Sequence, residues 1–338
     1  MVLGKLAAFL ALIGFSFITP VIKLIKGEDP KTQLLEIWRG LGVPLLAIGA
    51  FVLLWSAGAS QVKTSLGVIP GPTAVLEQFG ALVDDHNRMR DKEAAFFERQ
   101  DARNAKFIEQ GKPERVKERS FTGKPTYFDQ IWTSLQTVFF GFLIATLIAV
   151  PLGIFSGLSP TFNAAMSPLI QIFKPVSPLA WLPIVTMVVS GVYLTPAEWM
   201  PKSFLISAVT VTLCSLWPTL INTALGVASI DKDLMNVAKV LQLKQRDTIF
   251  KLVIPSSLPL IFTGLRLSLG VGWMVLIAAE MLAQNPGLGK FVWDEFQNGS
   301  SVSLARIIVA VLTIGVIGFG LDRIMYTLQT AFTFTDKR

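Results

Sequence analysis

Apolar stretches long enough to cross a membrane recur along this sequence, and they constrain its fold more than any other feature. Segments of about 20 apolar residues match a hydrocarbon core about 30 Å thick, and a helix satisfies its backbone polar groups within one such segment. The sequence therefore predicts an all-α integral membrane protein, a polytopic bundle of six core transmembrane helices. We place these helices at Leu41–Ala57, Ile131–Phe155, Pro168–Val192, Ser203–Gly226, Leu258–Ala283 and Leu304–Leu321.

One further apolar segment, Leu6–Ile22, follows Lys5 in the manner of a signal sequence. It lacks a small-x-small cleavage site, so we expect it to be retained and either to span the membrane or to lie in its interface. Charged residues make up only 16% of the chain, which agrees with a membrane protein. The single cysteine, Cys214, excludes an internal disulfide and is interpreted as a small packing residue, and the single histidine, His86, as a solvated loop residue.

The loops predict the topology. A short basic loop at 227–257 belongs on the cytoplasmic side, because Lys and Arg accumulate there. Each transmembrane helix takes the chain to the other side of the membrane, so counting helices from this loop places residues 193–202 and 284–303 outside. Residues 284–303 are expected to form a turn-rich loop. We divide the chain into an N-terminal hydrophobic helix with a cytoplasmic linker (1–40), a transmembrane helix (41–58), an external polar segment (59–130), a core domain (131–331) containing the loop 229–255, and a cytoplasmic tail (332–338).

The external segment carries a dense run of charges of both signs at 84–124. Apolar residues among these charges predict one or two short amphipathic helices. The sequence contains no Gly-x-x-x-x-Gly-Lys-Ser/Thr run that could cradle a triphosphate, and no Ser/His/Asp or His/Glu constellation that suggests catalysis. We therefore expect no ATPase or other catalytic site in this chain, so that any energy for transport comes from another chain or from an ion gradient.

The cytoplasmic loop carries the most specific pattern. Residues 233–244 read DLMNVAKVLQLK, and Pro255 follows. This pattern resembles the signature loop of ABC importer permeases, Glu-Ala-Ala-x-x-x-Gly followed by Ile-x-Leu-Pro. The alignment puts Asn236 at the glutamate position and Gln242 at the glycine position, so two positions depart from the family pattern. The resemblance implies an ATPase-coupling surface formed by Asp233, Asn236, Val237, Ala238, Lys239, Gln242, Leu243 and Pro255.

The physical logic of such a loop is a short helix that docks into a groove on a partner. Val237 and Ala238 offer small contact surfaces, and Lys239 offers charge that sets the register. We expect Pro255 to stop the docking segment before the next membrane helix begins. A simple basic loop that only anchors the topology is the alternative.

The departures narrow the family resemblance to the nitrate/bicarbonate branch of these permeases, and residues 131–331 carry it. The matching runs are PLAWLPI at 178–184, LWPTLINT at 216–223, IFTGLR at 261–266, AAEML at 278–282 and VWD at 292–294. The resemblance implies the MetI-like type I ABC importer permease fold, and import of a small inorganic anion across the bacterial inner membrane. Nitrate is the first candidate for the cargo, followed by nitrite, cyanate or bicarbonate. A sulfonate or taurine cargo is the alternative.

The resemblance also implies partners: a second permease copy as a homodimer, two cytoplasmic ATPase subunits that bind ATP and Mg, an external solute-binding protein and membrane lipid. It implies no cofactor in this chain and no nucleic acid. Two rival functions remain from the sequence alone. An ion-gradient-driven secondary transporter would leave the loop unexplained, and a membrane-bound enzyme or assembly factor would need a polar catalytic cluster.

Polar residues inside the apolar segments are the candidates for a translocation pathway, because such residues usually face a cavity or a partner. Arg266, Trp273 and Glu280 recur on one face of a helix. Arg266 either attracts an anion, snorkels, or pairs with a carboxylate on another helix, whereas Glu280 repels an anion and suits structural pairing or gating. Thr210 and Trp217 lie on a stripe of small polar residues, for which helix packing is favoured over pore lining. Trp181 is a further lining candidate.

Overall fold

The computed structural model describes residues 18–25, 27, 29–64, 67–197 and 199–333. Most of the predicted segment Leu6–Ile22 and the tail beyond residue 333 lie outside these residues. The helices are α1 (Ile18–Ile25), α2 (Pro30–Ile37), α3 (Val43–Ala59), α4 (Pro72–Glu109), α5 (Tyr127–Leu158), α6 (Pro160–Phe173), α7 (Pro178–Val192), α8 (Lys202–Ala228), α9 (Lys232–Val240), α10 (Gln245–Thr248), α11 (Ile254–Ala283), α12 (Leu288–Asn298) and α13 (Ser301–Phe332). Two short antiparallel strands, β1 (Lys63–Thr64) and β2 (Gly67–Val68), lie between α3 and α4.

Five helical runs among the described residues are long and apolar enough to cross a membrane: Pro30–Ala59, Tyr127–Leu158, Lys202–Ala228, Gln245–Ala283 and Ser301–Phe332. The pair α6 and α7 makes a sixth crossing if the two helices count as one broken span. The all-α bundle expected from the sequence is therefore confirmed.

The predicted straight span Pro168–Val192 is wrong, because α6 and α7 meet at an angle of 101°. Pro175 has no N–H to donate to the preceding turn. Lys174 still has helical dihedral angles, with φ of −56° and ψ of −43°, and the chain leaves the helix after it. Ser177 then caps α7, and its Oγ accepts a hydrogen bond from Leu179 N over 3.3 Å.

Helix α8 is the centre of the bundle and packs along α5 on one side and α11 on the other. Two glycines allow this close approach. A Cβ at Gly141 of α5 would lie 2.7 Å from the Ala208 carbonyl oxygen, and one at Gly264 of α11 would lie 3.0 Å from the Pro218 carbonyl oxygen. Helices in membranes pack tightly through small residues of this kind.

Wide π turns precede two helices, at Trp38–Gly42 and Ile249–Val253, and each lies just before a proline in the first turn of the following α-helix. A π turn leaves room for the proline ring and absorbs the missing hydrogen bond. The helix therefore runs without interruption from Gln245 to Ala283. The expectation that Pro255 stops the docking segment is wrong, because the π turn carries the helix past it.

The end of the bundle opposite α9 is held together by Arg306. Its guanidinium contacts Glu295 of α12 at 3.2 Å and Asp85 of α4 at 3.6 Å.

Helix α4 is a single helix of 38 residues, about 57 Å long at 1.5 Å per residue, so the predicted one or two short helices are wrong. The region 284–303, expected as a turn-rich loop, contains α12. His86 is half-buried on α4 and hydrogen-bonded to Thr126 over 2.7 Å, so it is not a solvated loop residue.

Candidate functional site

The predicted coupling loop forms α9, which is anchored to the ends of three membrane helices. Its first turn is capped by Asp231, whose carboxylate accepts a hydrogen bond from Asp233 N over 2.9 Å. Beneath it, Ile154 of α5, Val227 of α8 and Val253 of the π turn form a buried apolar cluster, against which Met235 of α9 packs. α9 is therefore in packing contact with the ends of α5, α8 and the π turn that leads into α11.

Ala238 faces the rest of the chain. Its side chain is 3% exposed, whereas that of Val237 is 53% exposed. The expectation that Ala238 contributes to a docking surface is at odds with this burial, because the rest of the chain already covers it. The exposed large apolar residues of α9 and of the turn that follows it are Leu234, Val237, Val240, Leu241 and Leu243. The other predicted coupling residues, Asp233, Asn236, Lys239, Gln242, Leu243 and Pro255, are exposed.

Gln242 ends α9 in the left-handed region, with φ of 50°. Its N–H donates to the Lys239 carbonyl over 3.0 Å, and Leu243 N–H donates to the Ala238 carbonyl over 3.1 Å. This is the reversal by which helices commonly end, and glycine is favoured at the left-handed position. The family pattern has glycine at the position aligned with Gln242, which is the residue that this left-handed geometry favours.

Glu280 is fully buried and caps a helix. Its carboxylate accepts hydrogen bonds from Ser134 Oγ at 2.8 and 2.9 Å and from Gly289 N, in the first turn of α12, at 3.0 Å. A Cβ at Gly287 would lie 2.1 Å from Glu280 Oε1, so only glycine fits there. The carboxyl group thus takes up a backbone N–H of the first turn of α12, one of those that a helix leaves without a partner inside itself. Glu280 therefore holds α12 on the bundle, and the described residues around it leave its side chain no exposed surface.

The other residues of the predicted face separate in the structure. Arg266 pairs with Asp322 of α13: its Nε donates to Oδ1, and its Nη2 lies 2.7 Å from Oδ2. Trp273 is buried, and its Nε1 donates to the Ile314 carbonyl over 3.0 Å. Both residues thus join α11 to α13. The structural-pairing alternative describes the position of Arg266 better than a free cation does.

Thr210 lies in a packed interface. It is fully buried, and its hydroxyl donates to the Ile206 carbonyl of its own helix over 2.8 Å. Trp181 and Trp217 instead meet around Phe173 at the bend between α6 and α7, with ring centroids 5.8 and 6.4 Å from that of Phe173. Within the described residues, neither indole N–H has a hydrogen-bond partner, although both nitrogens are buried.

Sequence reasoning missed Lys174 and Ser134. Lys174 is the only charged residue between Asp129 and Glu198, and an isolated charge in an apolar region is a signal that could have found it. Ser134 gave no such signal, because its role depends on Glu280 lying beside it in the fold.

The comparisons with known proteins agree with this architecture. The family described as binding-protein-dependent transport system inner membrane component matches residues 149–333. The bicarbonate transport system permease protein CmpB of Synechococcus elongatus is 32% identical over 300 residues, which cover 87% of this chain and 92% of CmpB. The chain belongs to this family of inner membrane transport components. It is a multi-pass protein of the inner membrane.

Other relatives of this permease include the nitrate import permease protein NrtB of Synechococcus elongatus, which is 37% identical over 196 residues. That match covers 58% of this permease and 66% of NrtB. Among solved structures, the inward-facing MetNI methionine ABC transporter gives a TM-score of 0.53 at 12% identity and covers 61% of this permease and 96% of the MetNI chain. The expected MetI-like fold is confirmed.

Proposed function

We propose that this permease is the membrane-spanning subunit of an ABC importer for a small inorganic anion, with nitrate the first candidate and bicarbonate the second. The observation that carries the proposal is α9: its inner side is anchored to α5, α8 and α11, and Val237 and Leu241 are left exposed. An apolar surface on a short, rigidly held helix suits docking to another protein. The names of NrtB and CmpB support the choice of cargo.

In this proposal the permease acts as a homodimer with two cytoplasmic ATPase subunits, which bind ATP and Mg, and an external solute-binding protein. ATP binding by the partner biases the equilibrium between outward- and inward-facing states of the permease. α9 transmits this bias to the membrane helices because it packs against three of them. A purified permease without its partner should hydrolyse no ATP.

The test compares two matched valines. Val237→Asp places a charge on the proposed docking surface, and a buried unpaired carboxylate is costly. Val62→Asp is the control: Val62 is 48% exposed and precedes the strands next to Ser301, at the opposite end of the bundle. We expect Val237→Asp to lose the copurifying ATPase and anion uptake while the permease still inserts and folds, and Val62→Asp to retain both. Normal ATPase capture by Val237→Asp contradicts the proposed interface.

The cargo is tested separately in proteoliposomes that contain the complex and its receptor. Uptake of labelled nitrate and bicarbonate is measured against taurine, and the ligand of the receptor is identified by calorimetry with the same anions and nitrite. If the complex takes up taurine but neither nitrate nor bicarbonate, the cargo is a sulfonate and not an inorganic anion.

A further inference from the structure

A cavity of about 450 Å³ lies at the α9 end of the bundle, between the last turn of α5, helix α6 and the last turns of α8. The wall that α8 provides is apolar, as at Ile221 and Ala224. The polar side chains come mostly from α6, where Asn163, Ser167, Gln171 and Lys174 line the cavity. Their spacing of four, four and three residues places them on one face of the helix, so α6 presents a continuous polar stripe to the cavity.

Lys174 ends this stripe, and its charge is uncompensated. Within the described residues no carboxylate lies within 4 Å of its ammonium group, whereas Arg266 is neutralised by Asp322. A charged side chain in a membrane domain normally pairs or faces a water-filled path. Lys174 has no such partner among the described residues; its side chain is exposed and lines a largely apolar cavity whose α6 side carries hydroxyl and amide groups that can donate hydrogen bonds.

Two further donors lie on the other side of the bend. Phe173 precedes Lys174 and stacks on Trp217, and the buried indole N–H groups of Trp181 and Trp217 lack a partner among the described residues. An indole N–H can only donate, and leaving it unpaired in a buried site is costly. Ile170 and Leu220 connect the cavity to the tryptophans, because both residues line the cavity and both belong to the apolar cluster that contains Trp217.

From these contacts we propose that the cavity is an oxyanion site through which the cargo leaves towards the α9 end, with Lys174 as its cation. The inference rests on the proposed import of an inorganic anion and adds the place where that anion is held. Ser167 and Gln171 are already hydrogen-bonded to each other over 3.0 Å, which orients both towards the cavity. Ser156 Oγ of α5 similarly donates to the side-chain oxygen Oδ1 of Asn163 over 2.8 Å, which leaves the Asn163 side-chain N–H₂ to donate to an anion.

A lipid phosphate offers the same chemistry as a free oxyanion, so the experiment separates the two. The full complex is reconstituted into vesicles of phosphatidylcholine alone and into vesicles that also contain phosphatidylglycerol. Uptake is measured per assembled complex for Lys174→Gln, Lys174→Arg and the control Lys202→Gln. Lys202 is a suitable control because it lies at the opposite end of α8 and has no ion pair within the described residues.

We expect Lys174→Gln to lower the uptake rate about tenfold in both kinds of vesicle, the equivalent of about 1.4 kcal/mol, and the other two variants to retain most of it. A loss confined to phosphatidylglycerol vesicles assigns Lys174 to a lipid headgroup and overturns the site. Normal uptake by an assembled Lys174→Gln complex also overturns it. If the wild-type complex carries neither nitrate nor bicarbonate, the proposed function fails and not merely this site.

Anion binding is measured independently of transport with a thiol in the cavity wall. Ala224→Cys, in a Cys214→Ser background, is treated with a maleimide in the presence of nitrate or the same concentration of gluconate. We expect nitrate to slow the modification, and this protection to disappear when Lys174→Gln is added. Equal modification rates in nitrate and gluconate overturn the site.

Discussion

The carboxylate of Glu280 performs a task that a polar residue in a membrane helix is rarely assumed to have. It accepts hydrogen bonds from a hydroxyl of α5 and a backbone N–H of α12, so three elements meet at one side chain. Gly287 and Gly289 leave room for it, since a Cβ at Gly289 would lie 2.1 Å from the Ile277 carbonyl oxygen. The glycines of 287–289 are therefore part of a packing arrangement and not of a phosphate-binding loop.

Replacing Glu280 by Gln should destabilise the permease. The amide puts a donor where two donors already converge, and leaving a buried group unsatisfied costs about 1–3 kcal/mol. The measurement is thermal unfolding in detergent, with Asp294→Asn as the control. Asp294 is an exposed acid on α12 whose ion-pair partner among the described residues is Lys290, an interaction worth about 0.2–1 kcal/mol. If the Glu280→Gln variant unfolds at the same temperature as the wild type but no longer takes up the anion, Glu280 acts in the translocation pathway and not in holding α12.

At the scale of single elements, the end of α9 depends on a residue, Gln242, whose backbone conformation is unfavourable for its residue type. Gln242 is in the left-handed region, which favours glycine. Gln242→Gly should therefore stabilise the last turn of α9 by up to about 1 kcal/mol and slow hydrogen exchange of its amides. Leu243→Gly is the control: Leu243 does not have a positive φ, so the same substitution there should speed exchange. Faster hydrogen exchange in the Gln242→Gly variant would show that the left-handed conformation of Gln242 does not destabilise the end of α9.

The sequence predicts the positions of the helices far better than their interruptions. Apolar length is a local property, and each long span recovers a predicted segment. The break at Pro175 was missed because prolines inside membrane helices are tolerated whenever neighbours satisfy the freed carbonyls. Ala238 was misplaced for a related reason: a sequence shows which residues are small and apolar, but only the fold shows that the chain itself covers this one.

On the scale of the whole molecule, the two ends of the bundle are built differently. Arg306 ties α4, α12 and α13 together at one end through Asp85 and Glu295, and α9 occupies the other. The positions of α4 and α9 at opposite ends provide a direct test of the predicted topology.

The topology prediction places α4 outside and α9 in the cytoplasm. Ala102→Cys on α4 and Val240→Cys on α9, each in a Cys214→Ser background, put thiols at exposed positions. We expect an impermeant maleimide added to intact spheroplasts to label Ala102→Cys, and to label Val240→Cys only after lysis. The reverse pattern would invert the protein in the membrane and exclude α9 as a cytoplasmic coupling element.

The contact between Arg266 and Asp322 also has an electrical meaning. A single charge that crosses the membrane potential gains or loses about 2.3 kcal/mol per 100 mV. Because the two side chains carry opposite charges and are held together, a movement that shifts α11 and α13 as a unit displaces no net charge through this pair. The two helices can therefore move together without the membrane voltage favouring either position on account of the pair.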